Sequence, residues 1–465
     1  MLLRFLLVLA IFLPCFVVAA PPNVIFIISD DQGYPDLGCI GTKPVLTPNL
    51  DKLAAEGVRG SSFYVTWPAC TPSRGSVLTG RYPQRNGLYD MVRNDLVNYG
   101  HAFGAEEYAV SPEMTLGLDP KEVTIGDMLK KAGYATGCVG KWDMGQARRY
   151  LPLQRGFDFF YGHGNNGVDY YTHERYGVPS LFRGNERTEE DKGTYITDVF
   201  RRESLHFVNQ HLGQKPFFLY LAFNAPHSAS SFPEDVEAGK KKSSVGVQAP
   251  EKYVALYRDQ VKDDKLVRYY AAVTCMDEAS GALMEAVDKA RQKDNTIFLF
   301  MSDNGGSGNG GNAPLTGSKS TMWEGGLRVP FIARWPGKLP AGKVTGEFLT
   351  ALELVPTLLA ASGAKAPPGI TMDGFDMLPV LRGEVSSPRQ DMFWQRRGDK
   401  AARVGHWKWM ESAKGKGLYD LSSDIGEKKD LSKDRPEVLK MMQDKFAAWR
   451  KTMDETEPRG PFRDY

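Results

Sequence analysis

The 465-residue chain predicts an α/β fold: a large, mostly parallel central sheet flanked by helices on both faces, with a smaller C-terminal α+β subdomain of antiparallel sheet plus helix. Three features carry that expectation. Four short apolar runs each end abruptly in polar residues, helical patterns separate them, and a Pro/Gly-rich stretch late in the chain sets off a segment of different rhythm. The first run, 23–29, breaks into Asp30-Asp31-Gln32-Gly33, and the second, 134–140, into Lys141-Trp142-Asp143. The third, 217–223, breaks into Asn224-Ala225-Pro226-His227, and the fourth, 296–301, into Ser302-Asp303-Asn304-Gly305. Unbroken apolar runs of this length suit strands buried on both faces. Helical patterns at 49–56, 124–132, 197–211 and 266–292 alternate with them, the order of a parallel sheet covered on two sides. Residues 307–321, rich in Gly, Asn and Ser, read as a long loop leading into Trp323-Glu324-Gly325-Gly326. A strand at 331–335 and a helix at 353–361 follow. The stretch 366–388, with Pro367, Pro368, Gly369, Gly383 and Pro388, reads as a boundary between domains, expected at 20–383 and 384–465. Beyond it, 392–394, 402–410 and 418–421 read as antiparallel strands and 436–453 as a closing helix.

Composition narrows the function classes. With 42% hydrophobic and 25% charged residues the chain is long enough for a sizeable core. A formal net charge of +2 offers no basic surplus for a nucleic-acid partner. Residues 1–19 read as a signal peptide: Arg4 is the charged start, 5–18 the apolar stretch, and cleavage after Ala19 follows the small-residue rule. The apolar stretch is short for a membrane span, and the rest of the chain shows no run of that length, so the mature protein is expected to be exported, periplasmic or secreted. Cys15 leaves with the leader. Cys39, Cys138 and Cys275 do not make a disulfide framework.

The densest local signal is Cys70-Thr71-Pro72-Ser73-Arg74, followed by Gly75. Thr71 is a candidate N-cap and Pro72 suits a first helical turn, which places Cys70 just before a helix N-terminus. Free N–H groups and the dipole favour an anion there, and Arg74 adds a fixed cation. In parallel sheets, ligands bind at the carboxyl ends of the strands. The residues ending the four runs are therefore expected at one edge. Asp30, Asp31 and Asp303 would repel one another there unless a hard cation neutralised them. With the amide oxygen of Asn304 they form an all-oxygen set suited to Ca2+ or Mg2+ and not to zinc. Taken singly, each acidic pair also reads as an ordinary strand-ending turn.

These motifs together resemble the type I, formylglycine-dependent sulfatases of the alkaline phosphatase superfamily, over nearly the whole mature chain. The resemblance implies that Cys70 is oxidised to formylglycine by a maturation enzyme, and that the hydrated aldehyde attacks sulfur. It implies a divalent cation, usually calcium, held by Asp30, Asp31, Asp303, Asn304 and residue 70. Arg74 matches the arginine that orients the formylglycine, and Lys141 the lysine of the family's Gly-Lys-Trp-His motif. His227 matches the histidine of Ala-Pro-His, a general acid for the leaving alcohol, and Lys319 the lysine that reaches the sulfate. Asp303 is the implied proton acceptor. The implied activity is sulfuric ester hydrolysis, on a sulfated carbohydrate.

One position departs from the family. Asp143 stands where a histidine is usual, and it is read either as a replacement base, as a partner of Lys141, or as a contact to a substrate hydroxyl. Two other functions accordingly stay open: a phosphonate monoester or phosphodiester hydrolase of the same superfamily, and a catalytically weakened sulfated-sugar binder. The segment carrying His163 and His173 mixes aromatic and polar side chains, which suits a sugar pocket or a surface loop with buried tyrosines. The Lys240-Lys241-Lys242 run reads as a solvated loop.

Overall fold

Ten strands form the central sheet of the computed structural model, which describes residues 20–41, 44–92, 106, 116–230 and 246–456. The expected leader and the Lys240-Lys241-Lys242 run lie outside the described residues. In chain order the strands are β1 (Asn23–Ser29), β2 (Val58–Gly60), β3 (Ala135–Lys141), β4 (Phe159–His163), β5 (Leu181–Arg183), β6 (Glu186–Arg187), β7 (Phe217–Ala222), β8 (Thr296–Ser302), β9 (Phe331–Arg334) and β10 (Lys343–Thr345). Their order across the sheet is β10-β2-β9-β8-β1-β7-β3-β4-β5-β6. The middle block β8-β1-β7-β3-β4 is parallel throughout. Antiparallel pairs flank it, β9 against β8 and β5 against β4.

Both faces of the parallel block are apolar, which is why its strands lack alternation. Ile25 and Ile27 of β1 point into one core with Phe200 of the helix Ile196–His211 and Val273 and Met276 of the helix Asp264–Lys289. Val24, Phe26 and Ile28 point the other way, against Val77 and Leu78 of the helix Cys70–Thr79 and Leu358 of the helix Leu354–Ser362. The elements expected from the sequence are present, with ends shifted by up to three residues, as fraying termini allow.

A separate four-stranded antiparallel sheet follows: Asp391–Arg396, Asp399–Val404, Trp407–Ser412 and Gly415–Asp420. Here the sequence reading needs correction, because the single strand expected at 402–410 is two. Val404 pairs with Trp407 across a two-residue turn in which Gly405 has φ 57°. Only two residues long, that turn hides inside an otherwise strand-like run. The helix Pro436–Asp454 packs Phe446 and Trp449 on this sheet, in a core shared with Tyr64 and Leu327. No helix of the described residues is long and apolar enough to cross a membrane.

Candidate active site

Strands β8, β1, β7 and β3 are immediate neighbours, so their four carboxyl ends stand in one row. At about 4.8 Å between strands, side chains leaving those ends are within reach of one another. Asp31 donates its backbone N–H to Asp303 Oδ1 at 3.2 Å, and Asn304 Nδ2 donates to Asp31 Oδ1 at 2.8 Å. Lys141 Nζ, from the end of β3, lies 2.7 Å from Asp30 Oδ2. His227, beyond β7, holds Nε2 3.7 Å from Asp31 Oδ2.

Cys70 enters this row from the helix Cys70–Thr79, all ten residues of which are buried. The expectation that Thr71 caps the helix is not met. The chain is extended at Ala69 (φ −161°, ψ 168°), and helical geometry starts at Cys70 itself. Thr71 Oγ1 instead accepts from the Val92 N–H and from Asn166 Nδ2, at 3.4 and 3.3 Å. The sulfur lies 3.5 Å from Asp30 Oδ1 and 3.2 Å from Lys319 Nζ. Burial pushes its pKa well above the ordinary thiol value, although Lys141 and Lys319 pull the other way. An unmodified cysteine here stays a thiol, a poor nucleophile.

Arg74, one turn along, lies beneath the row. Its Nε and Nη2 grip Asp303 Oδ2 at 2.9 and 2.8 Å, and its Nη1 donates to the Lys141 carbonyl at 3.2 Å. Burial alone would raise the pKa of Asp303, but Arg74 and Lys141 more than offset it and hold the carboxylate ionised. Asp30 goes the other way: burial, with Asp303 and Asp31 beside it, pushes its carboxyl well above the usual range despite Lys141.

Lys319 reaches the row from the long loop, its Nζ 2.6 Å from Asp31 Oδ1. Glycines let that loop come close. A Cβ on Gly33 would lie 1.8 Å from the Gly311 carbonyl oxygen, and one on Gly305 would lie 1.8 Å from that of Gly325. Lys319 N–H donates to the Gly306 carbonyl and Ser320 N–H to that of Pro68, at 3.0 and 2.7 Å.

Two carboxylates, the sulfur and an imidazole come together here as a candidate site for a divalent cation; Asp303 is not in that group. Asp30, Asp31, Cys70 and His227 each offer an atom within 4.8 Å of the others, and Asn304 Oδ1 is buried with no hydrogen-bond partner among the described residues. Crowded carboxylates and an orphaned amide oxygen are what a Ca2+ or Mg2+ shell consumes.

Comparison with known proteins agrees with this geometry. The sulfatase family model matches residues 22–364, and a model described as the C-terminal part of N-sulphoglucosamine sulphohydrolase matches 317–452. The chain belongs to the sulfatase family. It is 33% identical to N-acetylgalactosamine-6-sulfatase of Canis lupus familiaris, over 84% of this chain and 73% of that protein. It is 32% identical to arylsulfatase A of Homo sapiens, over 92% and 87%. Among solved structures, Ps i-CgsB in complex with k-i-k-neocarrahexaose superposes with a TM-score of 0.79 at 32% identity, covering 92% of each chain. The chain is thus a sulfuric ester hydrolase of the alkaline phosphatase superfamily.

Above the row, the sulfatase opens a cleft of about 210 Å³ that Cys70, His227 and Lys319 line together. Its wall also includes residues that the sequence reading passed over: Trp67, Asn166, Arg175, Tyr176 and Arg396. His163 and His173, considered for a sugar pocket, do not line it. His163 is fully buried with Nδ1 3.0 Å from Asn165 Oδ1, and His173 Nε2 lies 2.8 Å from the Thr194 carbonyl. The same polar-aromatic segment delivers Asn166 instead. The signal for Asn166 was its place beside Gly167, where a Cβ would lie 2.9 Å from His227 Nδ1.

Asp143 adopts φ 59° and is buried. Its Oδ1 accepts a short hydrogen bond from Asn166 Nδ2, and its Oδ2 lies 3.8 Å from Lys141 Nζ. His227 is fixed through Nδ1, 2.6 Å from the Ser228 carbonyl, which leaves Nε2 to face the cleft.

Proposed function

We propose that the protein is an exported sulfatase that removes sulfate from a sulfated carbohydrate, with residue 70 matured to formylglycine by a dedicated enzyme. The observation that carries this reading is the meeting of Asp30, Lys319 and Asp31 around one buried sulfur, under a cleft that His227 also lines. Relatives bearing sulfated-sugar names and a structure holding a carrageenan oligosaccharide support the substrate class.

Asp30, Asp31, Asp303, Asn304 and residue 70 would hold the cation, taken as calcium with magnesium as the alternative. When bound, it supplies positive charge beside the ester oxygens, and the matured residue 70 supplies a hydroxyl nucleophile in place of the thiol. The remaining work falls to side chains in place. Lys319 and Lys141 neutralise sulfate oxygens next to residue 70. Asp303, kept ionised by Arg74, accepts the proton of the attacking hydroxyl. His227, as an imidazolium whose Nδ1–H is donated to the Ser228 carbonyl, gives its Nε2 proton to the departing sugar oxygen. Burial and Lys319 pull its pKa down to about 3 despite Asp31, so the negative charge of the bound ester is what favours that protonated form. Release of inorganic sulfate from defined sulfated saccharides, measured beside the mass of the Cys70 peptide, tests the reading. A likeness to the phosphonate monoester hydrolase of Agrobacterium radiobacter, at 18% identity and a TM-score of 0.63, shows the fold alone. Nitrophenyl sulfate is therefore expected to turn over faster than a nitrophenyl phosphodiester on the same preparation; the reverse ranking would sink the assignment.

Asp143 is assigned as a positioning residue that holds Asn166 in the cleft wall. An asparagine at 143 still offers an oxygen to Asn166, so Asp143→Asn should keep kcat within about tenfold and leave the pH profile in place. Asp143→Ala should lose more, chiefly through KM. If Asp143 were a general base, removing its charge would cost about 10²–10⁴ in kcat and move the acidic limb of the profile.

A further inference from the structure

His227 works from a turn that lies outside any strand or helix. We propose that Asn309, on the loop that also carries Lys319, is a positioning residue for the general acid: it clamps Ser228, whose carbonyl orients the His227 ring. This rests on the sulfatase reading above and deepens it, because it ties the acid and the sulfate-binding lysine to one loop.

Residues 224–230 follow β7 and belong to no regular element, so no ladder of backbone bonds sets their course. Their hold comes from distant parts of the chain. Tyr170 OH donates to the His227 carbonyl at 2.7 Å. The Ala229 N–H donates to the Gly246 carbonyl at 2.8 Å, and the Tyr176 N–H to the Ser230 carbonyl at 3.0 Å. Ser228 is held through its side chain, where Oγ accepts from Asn309 Nδ2 at 2.9 Å. Its carbonyl in turn lies 2.6 Å from His227 Nδ1. That last bond decides which ring nitrogen faces the cleft, as a fixed acceptor at one imidazole nitrogen ordinarily does. The Gly167 backbone closes on the same edge of the ring, since a Cβ there would lie 2.9 Å from Nδ1 and 3.0 Å from Cε1. Of these two neighbours, Ser228 is the one that a side chain keeps in place.

The donor is itself anchored. Asn309 is half-buried, outside the apolar cores. Gly310, next to it, packs so closely on Tyr269 that a Cβ would lie 2.2 Å from Cζ. The Gly311 N–H donates to Asp36 Oδ2 at 3.0 Å, and Tyr269 OH donates to the same oxygen at 2.8 Å. Asn312 Nδ2 donates to the Gly306 carbonyl at 3.1 Å, and the Gly306 N–H returns to Asn312 Oδ1 at 3.0 Å. A donor fixed in this way can locate Ser228; one on a free loop could only follow it.

The test compares kcat/KM for para-nitrophenyl sulfate and phenyl sulfate on protein with verified formylglycine. Nitrophenolate leaves without a proton, whereas the more basic phenolate needs one from the acid. Asn309→Ala should lose about five- to tenfold on phenyl sulfate, the size of one hydrogen bond, and at most about twofold on the nitrophenyl ester. Ser228→Ala removes the other end of the same bond and should show the same split. The double variant should then lose no more than either single one. If Asn309→Ala shows a folding defect by its melting temperature, Ser228→Ala decides alone. Equal losses on both esters, additive losses in the double variant, or no loss at all would each overturn the clamp. His227→Gln separates that failure from one beneath it: if this variant also loses alike on both esters, His227 is not the acid. Absence of sulfate release from both esters by the formylglycine-bearing wild type overturns the sulfatase reading itself.

Discussion

Replacing Cys70 by alanine should abolish sulfate release, by at least about 10³-fold, while the protein keeps its fold. Loss of a covalent nucleophile ordinarily has an effect of that size or larger, since the supporting groups cannot substitute for it. The fold should survive for a local reason. Cys70 is fully buried, yet alanine is a good helix former and only the sulfur is removed. Lys319 keeps its partner in Asp31, and Arg74 keeps Asp303. The melting temperature should therefore move by no more than a few degrees. Two measurements read the outcome: sulfate release, and aldehyde-specific labelling of the peptide around residue 70. Residual turnover near the wild-type rate in Cys70→Ala would place the nucleophile elsewhere and dissolve the mechanism built on this row.

Much of the candidate site was legible in the chain because four strands of the parallel block, β8, β1, β7 and β3, run out into the polar residues that meet there. An apolar run cannot continue into Asp30-Asp31, Lys141, His227 or Asp303-Asn304, so strand ends and functional residues coincide at the same positions. Adjacency of those ends was not legible in itself. It follows from the order β8-β1-β7-β3, which joins strands up to about 270 residues apart in sequence. The cysteine motif was misread in its geometry. A cap was expected at Thr71 from residue type, whereas tertiary contacts with Asn166 and Val92 claimed its hydroxyl.

The cleft wall was the least legible part. Arg175 and Arg396 carry no local pattern that separates them from the other arginines of the chain. They share a wall only because a two-residue strand and the C-terminal sheet reach the same opening. The role of Asp143 was similarly undecidable from spacing, because a carboxylate two residues after Lys141 suits a base, an ion pair or a substrate contact equally. Its bond to Asn166, 23 residues away, and its place 3.8 Å from Lys141 Nζ are contacts that only the fold supplies.

Lys408→Met should destabilise the protein by about 3 kcal/mol, the low end for breaking a buried ion pair by removing one partner. Glu324, in the Trp323-Glu324-Gly325-Gly326 segment that follows the Lys319 loop, is fully buried, as is Lys408 of the C-terminal sheet. Lys408 Nζ lies 2.9 Å from a carboxylate oxygen of Glu324 and 2.9 Å from one of Glu427. Tyr64 OH donates to Glu324 at 2.5 Å, and Arg328 lies 3.4 Å away, so Glu324 keeps some support when the lysine goes. Burial pushes Glu324 upward, but Lys408, Arg328 and Arg403 outweigh it and bring the group down to about 2. Glu427 is pushed up to about 7 by burial, against Lys408, with Glu324 adding to the rise. A carboxyl whose folded pKa is raised favours folding fully below its unfolded value near 4.3, and that contribution is lost as pH rises through about 7. Wild-type stability should accordingly decline between about pH 5 and pH 8 by a component that Glu427→Gln removes. In Lys408→Met the decline should extend to higher pH, since the cation that favoured the charged form of Glu427 is gone. Thermal unfolding across that pH range reads both effects, with a melting-point loss of roughly 3–6 °C expected for Lys408→Met. The same variant should lower turnover, because Glu324 N–H is held by Glu427 at 2.7 Å and the loop bearing Lys319 hangs from this segment. Unchanged stability in Lys408→Met, at every pH tested, would show that the C-terminal sheet does not brace the catalytic loop through this buried charge cluster.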